Sequence, residues 1–340
     1  MTWTELDWSA LDRLREGFLR GPAGSGAYWK TTDDLASYDL TYAERIGWKW
    51  DHVLRELRLR GWRPPSRQVL DWGCGSGIAA RRVVAAFGPE NFDALTVWDH
   101  SALACDFAAD AAQRAFPRLA VHQATPGFLG GEENVGLLLI SHVLNELSPE
   151  AMAGLRSLIA RAAAIIWVEP GTRDVSRKLG ALRDELRAAF RVIAPCTHEL
   201  GCPMFAPGNE RHWCHFFAPP PSEIFADSNW VKFGQRAGID LRSLPYAFIA
   251  LERTAPPSAV SAPGWSRVIG RVEHFKTYAR LLNCDAEGLE ELELPKRADP
   301  VLFKHLERTK APLVYRWTRD GHKISSGQAL PAVTNASPDA

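Results

Sequence analysis

No run of about 18 apolar residues occurs in the 340-residue chain, so nothing in it reads as a membrane-spanning helix. An excess of charge is missing too: 40 basic and 40 acidic side chains cancel. Without a global field, any binding to nucleic acid needs a local basic face. The N-terminus lacks the basic start and apolar stretch of a secretory signal, and Glu5, Asp7, Asp12 and Glu16 are unlike an organellar transit peptide. A cytoplasmic, reducing location is therefore expected, where the six cysteines are not read as three disulfides. Glycine (26) and proline (23) are too few for a collagen-like or low-complexity chain, and 46% hydrophobic residues exclude disorder as the main state.

What is present reads as alternating elements. Residues 1–66 are expected to be helical, with Trp48, Val53, Leu54 and Leu57 at helical spacing until Gly61 and Pro64-Pro65 stop the pattern. Residues 67–194 read as a Rossmann-like core. Gln68–Asp71 and Ala94–Trp98 are short strands, Ile78–Phe87 and Ser101–Phe116 helices, and Val135–Ile140 and Ala164–Val168 strands buried on both faces. Such alternation implies a parallel sheet covered on both sides. Residues 195–235, rich in Pro, Cys, His and aromatics, have no clean period and read as an insertion. Residues 236–325 are expected to return to the core with strands at Tyr246–Glu252 and Val272–Cys284, and a turn or further strand at Glu287–Leu294. A Ser/Ala/Pro-rich tail over 326–340 is expected to be disordered.

The most specific motif is Asp71-Trp72-Gly73-Cys74-Gly75-Ser76-Gly77, set directly between a strand and a helix. Glycines there allow a tight turn and let a ligand touch the backbone. The spacing differs from the G-x-G-x-x-G dinucleotide pattern, and an acid two residues before the first glycine would repel a pyrophosphate. The motif resembles motif I of class I S-adenosylmethionine (SAM) methyltransferases. On that resemblance Asp71, Gly73, Gly75 and Gly77 are the cofactor-binding loop, and Asp99, ending the next strand, is the acid that holds the ribose hydroxyls.

Cys196, Cys202 and Cys214 fall within 19 residues of the irregular segment, at C-x5-C and C-x11-C spacing, and Cys284 follows later. A loop with little core of its own gains folding energy from a metal. Four thiolates suit tetrahedral zinc or a [4Fe–4S] cluster, and the spacing does not choose between them. Cys74 and Cys105 read as small core residues.

Cys196-x5-Cys202-Pro203, Trp213-Cys214-His215-Phe216, Val168-Glu169-Pro170-Gly171-Thr172 and Ser141-His142-Val143-Leu144-Asn145-Glu146-Leu147 together resemble the Rsm22 family over about 40–300. The resemblance implies an α/β class I methyltransferase sheet with a helical N-terminal segment and a Cys-rich metal-binding insertion. It also implies association with the small ribosomal subunit and its rRNA, in methylation or subunit maturation. By the same resemblance Cys196, Cys202, Cys214 and Cys284 would hold a [4Fe–4S] cluster, with zinc as the alternative. Candidate catalytic groups are His142 and Asn145, past the fourth strand, and Glu169; Glu169-Pro170-Gly171-Thr172 is not the Asn-Pro-Pro-Tyr of amino-group methylation. Arg55, Arg58, Arg60, Arg63 and Arg67 form one basic run; Arg267, Arg271, Lys276 and Arg280 form another, followed by Lys296-Arg297. Either run suits phosphate. Three readings stay open: an rRNA methyltransferase, a non-catalytic assembly factor, and a methyltransferase for a small molecule or a protein.

Overall fold

Helix-forming stretches open the chain. The computed structural model describes residues 1–20, 29–253, 264–307 and 313–330. Helix α1 (Trp8–Arg20) precedes α2 (Thr32–Tyr38), whose start is a capping box in which Thr31 Oγ1 accepts from the Asp34 amide. One π-helical turn, Asp39–Ala43, leads into α3 (Glu44–Leu59).

A strand–helix series follows: β1 (Gln68–Trp72), α4 (Ile78–Phe87), β2 (Ala94–Trp98), α5 (Ala102–Ala115), β3 (Ala120–Gln123), α6 (Pro126–Gly130), β4 (Gly136–Ser141), α7 (Pro149–Arg161), β5 (Ala162–Pro170), α8 (Arg173–Leu186) and β6 (Arg191–Ala194). Then come β7 (Phe216–Ala218), α9 (Ser228–Ala237) and β8 (Leu244–Glu252). The sheet order is β3-β2-β1-β4-β5-β8-β6, with β7 beside β8. Strands β1 to β5 pair in parallel, whereas β6 and β8 are antiparallel. Leu137–Ile140 and Ala164–Val168 are buried throughout, as strands covered on both faces must be.

The chain divides into two compact units. The first comprises Met1–His52, Pro64–Pro170 and Ala218–Tyr246; the second comprises Val53–Arg63, Gly171–Phe217 and the described residues from Ala247 on.

The second unit corrects the reading of 236–325 as remaining core strands. Only β8 joins the sheet. Strands β9 (Trp265–His274), β10 (Tyr278–Asp285), β11 (Gly288–Pro295), β12 (Val314–Asp320) and β13 (Lys323–Ala329) close on themselves in the order β10-β11-β13-β12-β9, with helix α10 (Pro300–Leu306) between β11 and β12. One face of each strand fills the barrel: Val268, Ala279, Leu281, Leu292, Leu294, Tyr315 and Ile324 pack with Leu302 and Phe303 of α10. That apolar set satisfies itself, so these strands need no place in the larger sheet. The single strand expected over Val272–Cys284 is two, turned at Phe275–Thr277 without glycine or proline. Of the expected tail, 326–329 belong to β13, and 331–340 lie outside the described residues. Helix α9 also interrupts the segment read as irregular, capped by Asp227 at its start and left-handed Gly238 at its end.

Candidate functional site

The glycine loop joins β1 to α4. Gly73, Gly75 and Gly77 have φ of +71°, +52° and +76°, a region costly for other residues. Two of them also make room: a Cβ on Gly73 would stand 2.8 Å from Val143 Cγ1, and one on Gly77 would stand 2.9 Å from the Ala108 Cβ of α5. A Cβ on Gly75 would meet nothing within 4 Å, so there is open space over the middle of the loop. The Gly73 and Cys74 amides both donate to Trp98 O, at 2.8 and 2.9 Å, which fastens the loop to the end of β2.

Asp99 follows β2 directly. Its Oδ2 accepts from the Gly75 amide at 3.0 Å and its Oδ1 from the Ser101 amide at 3.0 Å, with His100 Nδ1 at 3.1 Å. A carboxylate has about four acceptor positions, so capacity remains for hydroxyl donors. Asp71 lies deeper and is fully buried. Its Oδ2 accepts from the Ala80 amide at 3.2 Å, at the start of α4. Burial pushes Asp71 up to about 7, and nearby Asp99 adds to this against the Ala80 hydrogen bond and Arg81. Asp71 Oδ1 and Ser76 Oγ are buried without hydrogen-bond partners. Orphaned polar atoms under a glycine loop fit a site built for a polar ligand.

The segment after β4 turns toward the same loop, as the Gly73–Val143 approach shows. His142 has φ +59°, alone among the described non-glycine residues. Its amide donates to Val168 O at 2.9 Å and its Nε2 is buried without a partner. Burial, then Lys49 and Arg45, hold the imidazole well below its usual range, so it is neutral at pH 7. Glu169 is 1% exposed, and its Oε1 accepts from the amides of Val143 and Leu144, both at 3.1 Å, and from Trp167 Nε1 at 2.7 Å. Burial lifts it to about 7 in spite of those bonds. Its visible work is to hold the post-β4 turn. Asn145 sits exposed on that turn.

Three residues of this neighbourhood escape the sequence reading, and all come from the N-terminal helices. Tyr38 of α2 is raised by burial and by the charges of Glu146, Asp39 and Asp99. Lys49 of α3 is lowered to about 7 by burial and by Arg45, against the pull of Glu169. Arg45 is lowered to about 10 by burial. The i,i+4 spacing of Arg45 and Lys49 was the available signal, since it puts two cations on one face of a helix whose neighbours are apolar.

The second unit holds the cysteines. Cys196, Cys202 and Cys214 are half-buried and Cys284 is buried, all as free thiols. They lie within electrostatic reach of one another. Burial, then Cys196, pushes Cys202 up to about 12; burial, then the other three, pushes Cys284 well up; burial, then Cys196 and Cys202, does the same to Cys214. Two buried arginines, Arg183 and Arg267, act on Cys214 in the opposite sense. As the side chains stand, no group of three or more His, Cys, Asp or Glu among the described residues is arranged to hold a metal ion.

The loop itself is held by guanidinium groups. Arg60 donates to the carbonyls of Ile193, Cys196 and Pro195 at 2.9, 2.9 and 2.7 Å, and Arg183 to those of His198 and Leu200. Arg177 reaches Met204 O and His212 O, each at 3.0 Å. Asp184, paired with Arg183 at 2.6 Å, accepts from the Cys202 amide through both oxygens, at 3.0 and 2.9 Å. An irregular backbone must find donors for its carbonyls, and these arginines provide them. Arg60 and Arg267 are therefore structural: both side chains are 1% exposed and both pair with Glu56. This removes them from the basic runs read as phosphate contacts.

The sheet order, in which β8 stands between β5 and β6 and runs antiparallel to β6, is that of class I methyltransferases. The family described as mitochondrial small ribosomal subunit Rsm22 matches residues 51–310. The chain belongs to the Rsm22 family. No curated protein matches it in sequence. Among solved structures, magnesium protoporphyrin IX methyltransferase from Synechocystis is 14% identical, with 74% of this chain and 97% of that one covered and a TM-score of 0.39. The 16S rRNA methylase RmtB is 13% identical, with 73% and 76% covered and a TM-score of 0.37. A precorrin-6y C5,15-methyltransferase from Geobacter metallireducens is 13% identical, with 59% and 87% covered and a TM-score of 0.36. This Rsm22-family chain has a Rossmann-like methyltransferase fold with a mixed sheet. No helix among its described residues is long and apolar enough to cross a membrane.

Proposed function

We propose that this Rsm22-family protein binds SAM over the glycine loop and acts on the small ribosomal subunit, as an rRNA methyltransferase or in subunit maturation. The observation that carries the reading is the open space above Gly75, bordered by an Asp99 carboxylate that the Gly75 amide itself positions. Asp99 would accept the two ribose hydroxyls, a charge-assisted pair. Gly73, Gly75 and Gly77 would let the ligand lie against the backbone, and Asp71 and Ser76 would offer it their unpartnered oxygens.

When bound, SAM supplies an electrophilic methyl on a sulfonium sulfur. The chain's part is to align an acceptor behind that methyl, which matters more than a base does. Where the acceptor must lose a proton, we assign that proton to His142 Nε2, which is neutral and unpartnered. Glu169 keeps the turn in place, and Asn145 is exposed on that turn.

We further propose that Cys196, Cys202, Cys214 and Cys284 bind a [4Fe–4S] cluster, or zinc as the alternative. The donor chemistry fits. Burial and the neighbouring thiols destabilise the ionised forms of Cys202, Cys214 and Cys284, and Arg183 and Arg267 stand by as counter-charges for a negatively charged centre.

A non-catalytic assembly role has one observation in its favour: Glu169 spends one oxygen on three donors of the protein itself, and so resembles a strut more than a reacting group. Small subunits from cells lacking the protein, incubated with it and methyl-tritiated SAM, separate the two. Label in rRNA that Asp99→Ala abolishes supports the enzyme. Subunit co-sedimentation that persists in Asp99→Ala without any label supports the assembly factor. Absence of both label and co-sedimentation at low salt sinks the ribosomal reading.

A further inference from the structure

The barrel of the second unit is not absorbed by that reading. Counted from its own first strand, β9 to β13 are strands one to five. They close in the order one-two-three-five-four, strands three and five run parallel through Glu293 and Lys323, and a helix lies between three and four. Five strands connected this way make an oligonucleotide/oligosaccharide-binding barrel. Such barrels take their ligand across strands two and three, flanked by the loop joining one to two and the loop joining four to five.

In this chain the first of those loops is Phe275-Lys276-Thr277, closed by a 2.9 Å bond from the Phe275 amide to Tyr278 O. Phe275 is 41% exposed, and its ring stacks on Tyr278 with centroids 4.6 Å apart and planes 16° from parallel. The Arg280 guanidinium lies 5.3 Å from one ring and 5.9 Å from the other. Neither ring belongs to the barrel's core. A stacked aromatic pair at an exposed loop, backed by arginine, is the platform on which unpaired bases stack in single-strand binders.

The cations converge on the same end. The Lys296 amide donates to Thr277 O at 2.8 Å, which sets the exposed Lys296-Arg297 pair beside the aromatic loop. The second loop, Gly321-His322, leads into exposed Lys323, and its His322 O accepts from the Glu293 amide at 2.9 Å. Acids share this end as well: Glu273 and Glu293 are 4.0 and 3.9 Å from Arg280, Glu291 acts on the same guanidinium, and Asp320 stands opposite Lys323 in the β12–β13 register. Lys276, Arg297 and Lys323 make no ion pair among the described residues. These three cations, beside the aromatic pair, are the groups left to meet a polyanion.

We propose that this end of the barrel binds a single-stranded segment of RNA. Phe275 and Tyr278 stack bases; Lys276, Lys296, Arg297 and Lys323 face phosphates. The choice of RNA rests on the ribosomal reading above and gives it a contact surface.

The test is fluorescence anisotropy with the full chain and a labelled 12-nucleotide oligouridylate, against a duplex RNA of the same length. Single strand should bind more tightly than duplex. Phe275→Ala/Tyr278→Ala should weaken binding by roughly ten-fold or more with an unchanged salt slope. Lys276→Gln/Lys323→Gln should flatten the slope of log K against log salt by about 0.7 for each phosphate no longer neutralised. Phe275→Ala alone, at an exposed loop, serves where the double variant melts early, and should weaken binding in the same direction. Duplex binding as tight as single strand, or an unchanged affinity in Phe275→Ala, overturns the proposal. Ribosome co-sedimentation on the same samples separates the two claims. Oligouridylate binding without ribosome association sinks only the ribosomal reading. Ribosome association without oligouridylate binding sinks only this one.

Discussion

Alanine at Gly75 and at Gly77 should have opposite profiles, because the two glycines answer to different constraints. Both have positive φ, so each alanine carries a left-handed backbone cost of ~1–2 kcal/mol. At Gly77 the new Cβ also lands 2.9 Å from Ala108 Cβ and 3.2 Å from Ala108 Cα. That is backbone of α5, which moves only as a helix, so overpacking adds ~1–3 kcal/mol. For a chain of this length each kcal/mol lowers the melting temperature by about 1–2 °C. Gly77→Ala should therefore melt about 2–10 °C lower, and Gly75→Ala only about 1–4 °C lower. In SAM binding the order reverses. The Gly75 Cβ meets no protein atom and would enter the space assigned to the ligand. The same overpacking, now felt by SAM, should weaken binding about ten-fold or more. Thermal melts and calorimetric titration of both variants give the four numbers. Full SAM affinity in Gly75→Ala would refute the reasoning, because the space over the loop would then not be the ligand's.

Three further outcomes follow from the same structure. Asp71 has its folded pKa raised from 3.8 to about 7, so its contribution is fully present below about pH 4 and is lost as pH rises through 7; Asp71→Asn should flatten that part of the stability–pH curve in thermal melts, and an unchanged curve would contradict the burial argument. Arg60→Met removes the donors of three loop carbonyls and one partner of Glu56, and should cost ~3–5 kcal/mol in chemical unfolding while leaving RNA affinity unchanged; a weaker RNA affinity at full stability would restore Arg60 to the phosphate-binding set. Cys202→Ser and Cys214→Ser should lose iron or zinc, measured by mass spectrometry of metals after purification without oxygen, and full metal content in both would contradict the ligand assignment.

The parts of the fold legible in the sequence were those with a local cause. The glycine loop announces itself because left-handed turns need glycine, and the runs in β4 and β5 do so because strands covered on both faces are apolar throughout. The barrel was not legible. Alternation in β10 and in the second half of β11 says that each has one buried face, but not which sheet buries it, and β9 buries Ser266 to Ile269 in a row. The turn at Phe275–Thr277 has none of the usual turn residues. Strand β3 is short, with no buried residue, so periodicity passes over it. The roles of Arg60 and Arg267 depend on carbonyls and a carboxylate far along the chain, and composition counts such residues as surface charge. Tyr38 and Lys49 were missed for a similar reason: only packing of the N-terminal helices brings them near Asp99 and Glu169.

The central claim is a live SAM site, and calorimetric titration of SAM into the full chain, purified without oxygen and with Asp99→Ala alongside, tests it most directly. Asp99 accepts from Gly75 and Ser101 and should take the ribose hydroxyls with what capacity remains. The account predicts one-to-one binding to the wild-type chain that is lost in a folded Asp99→Ala variant. No heat of binding in the folded wild type, or equal affinity in the two proteins, would contradict it.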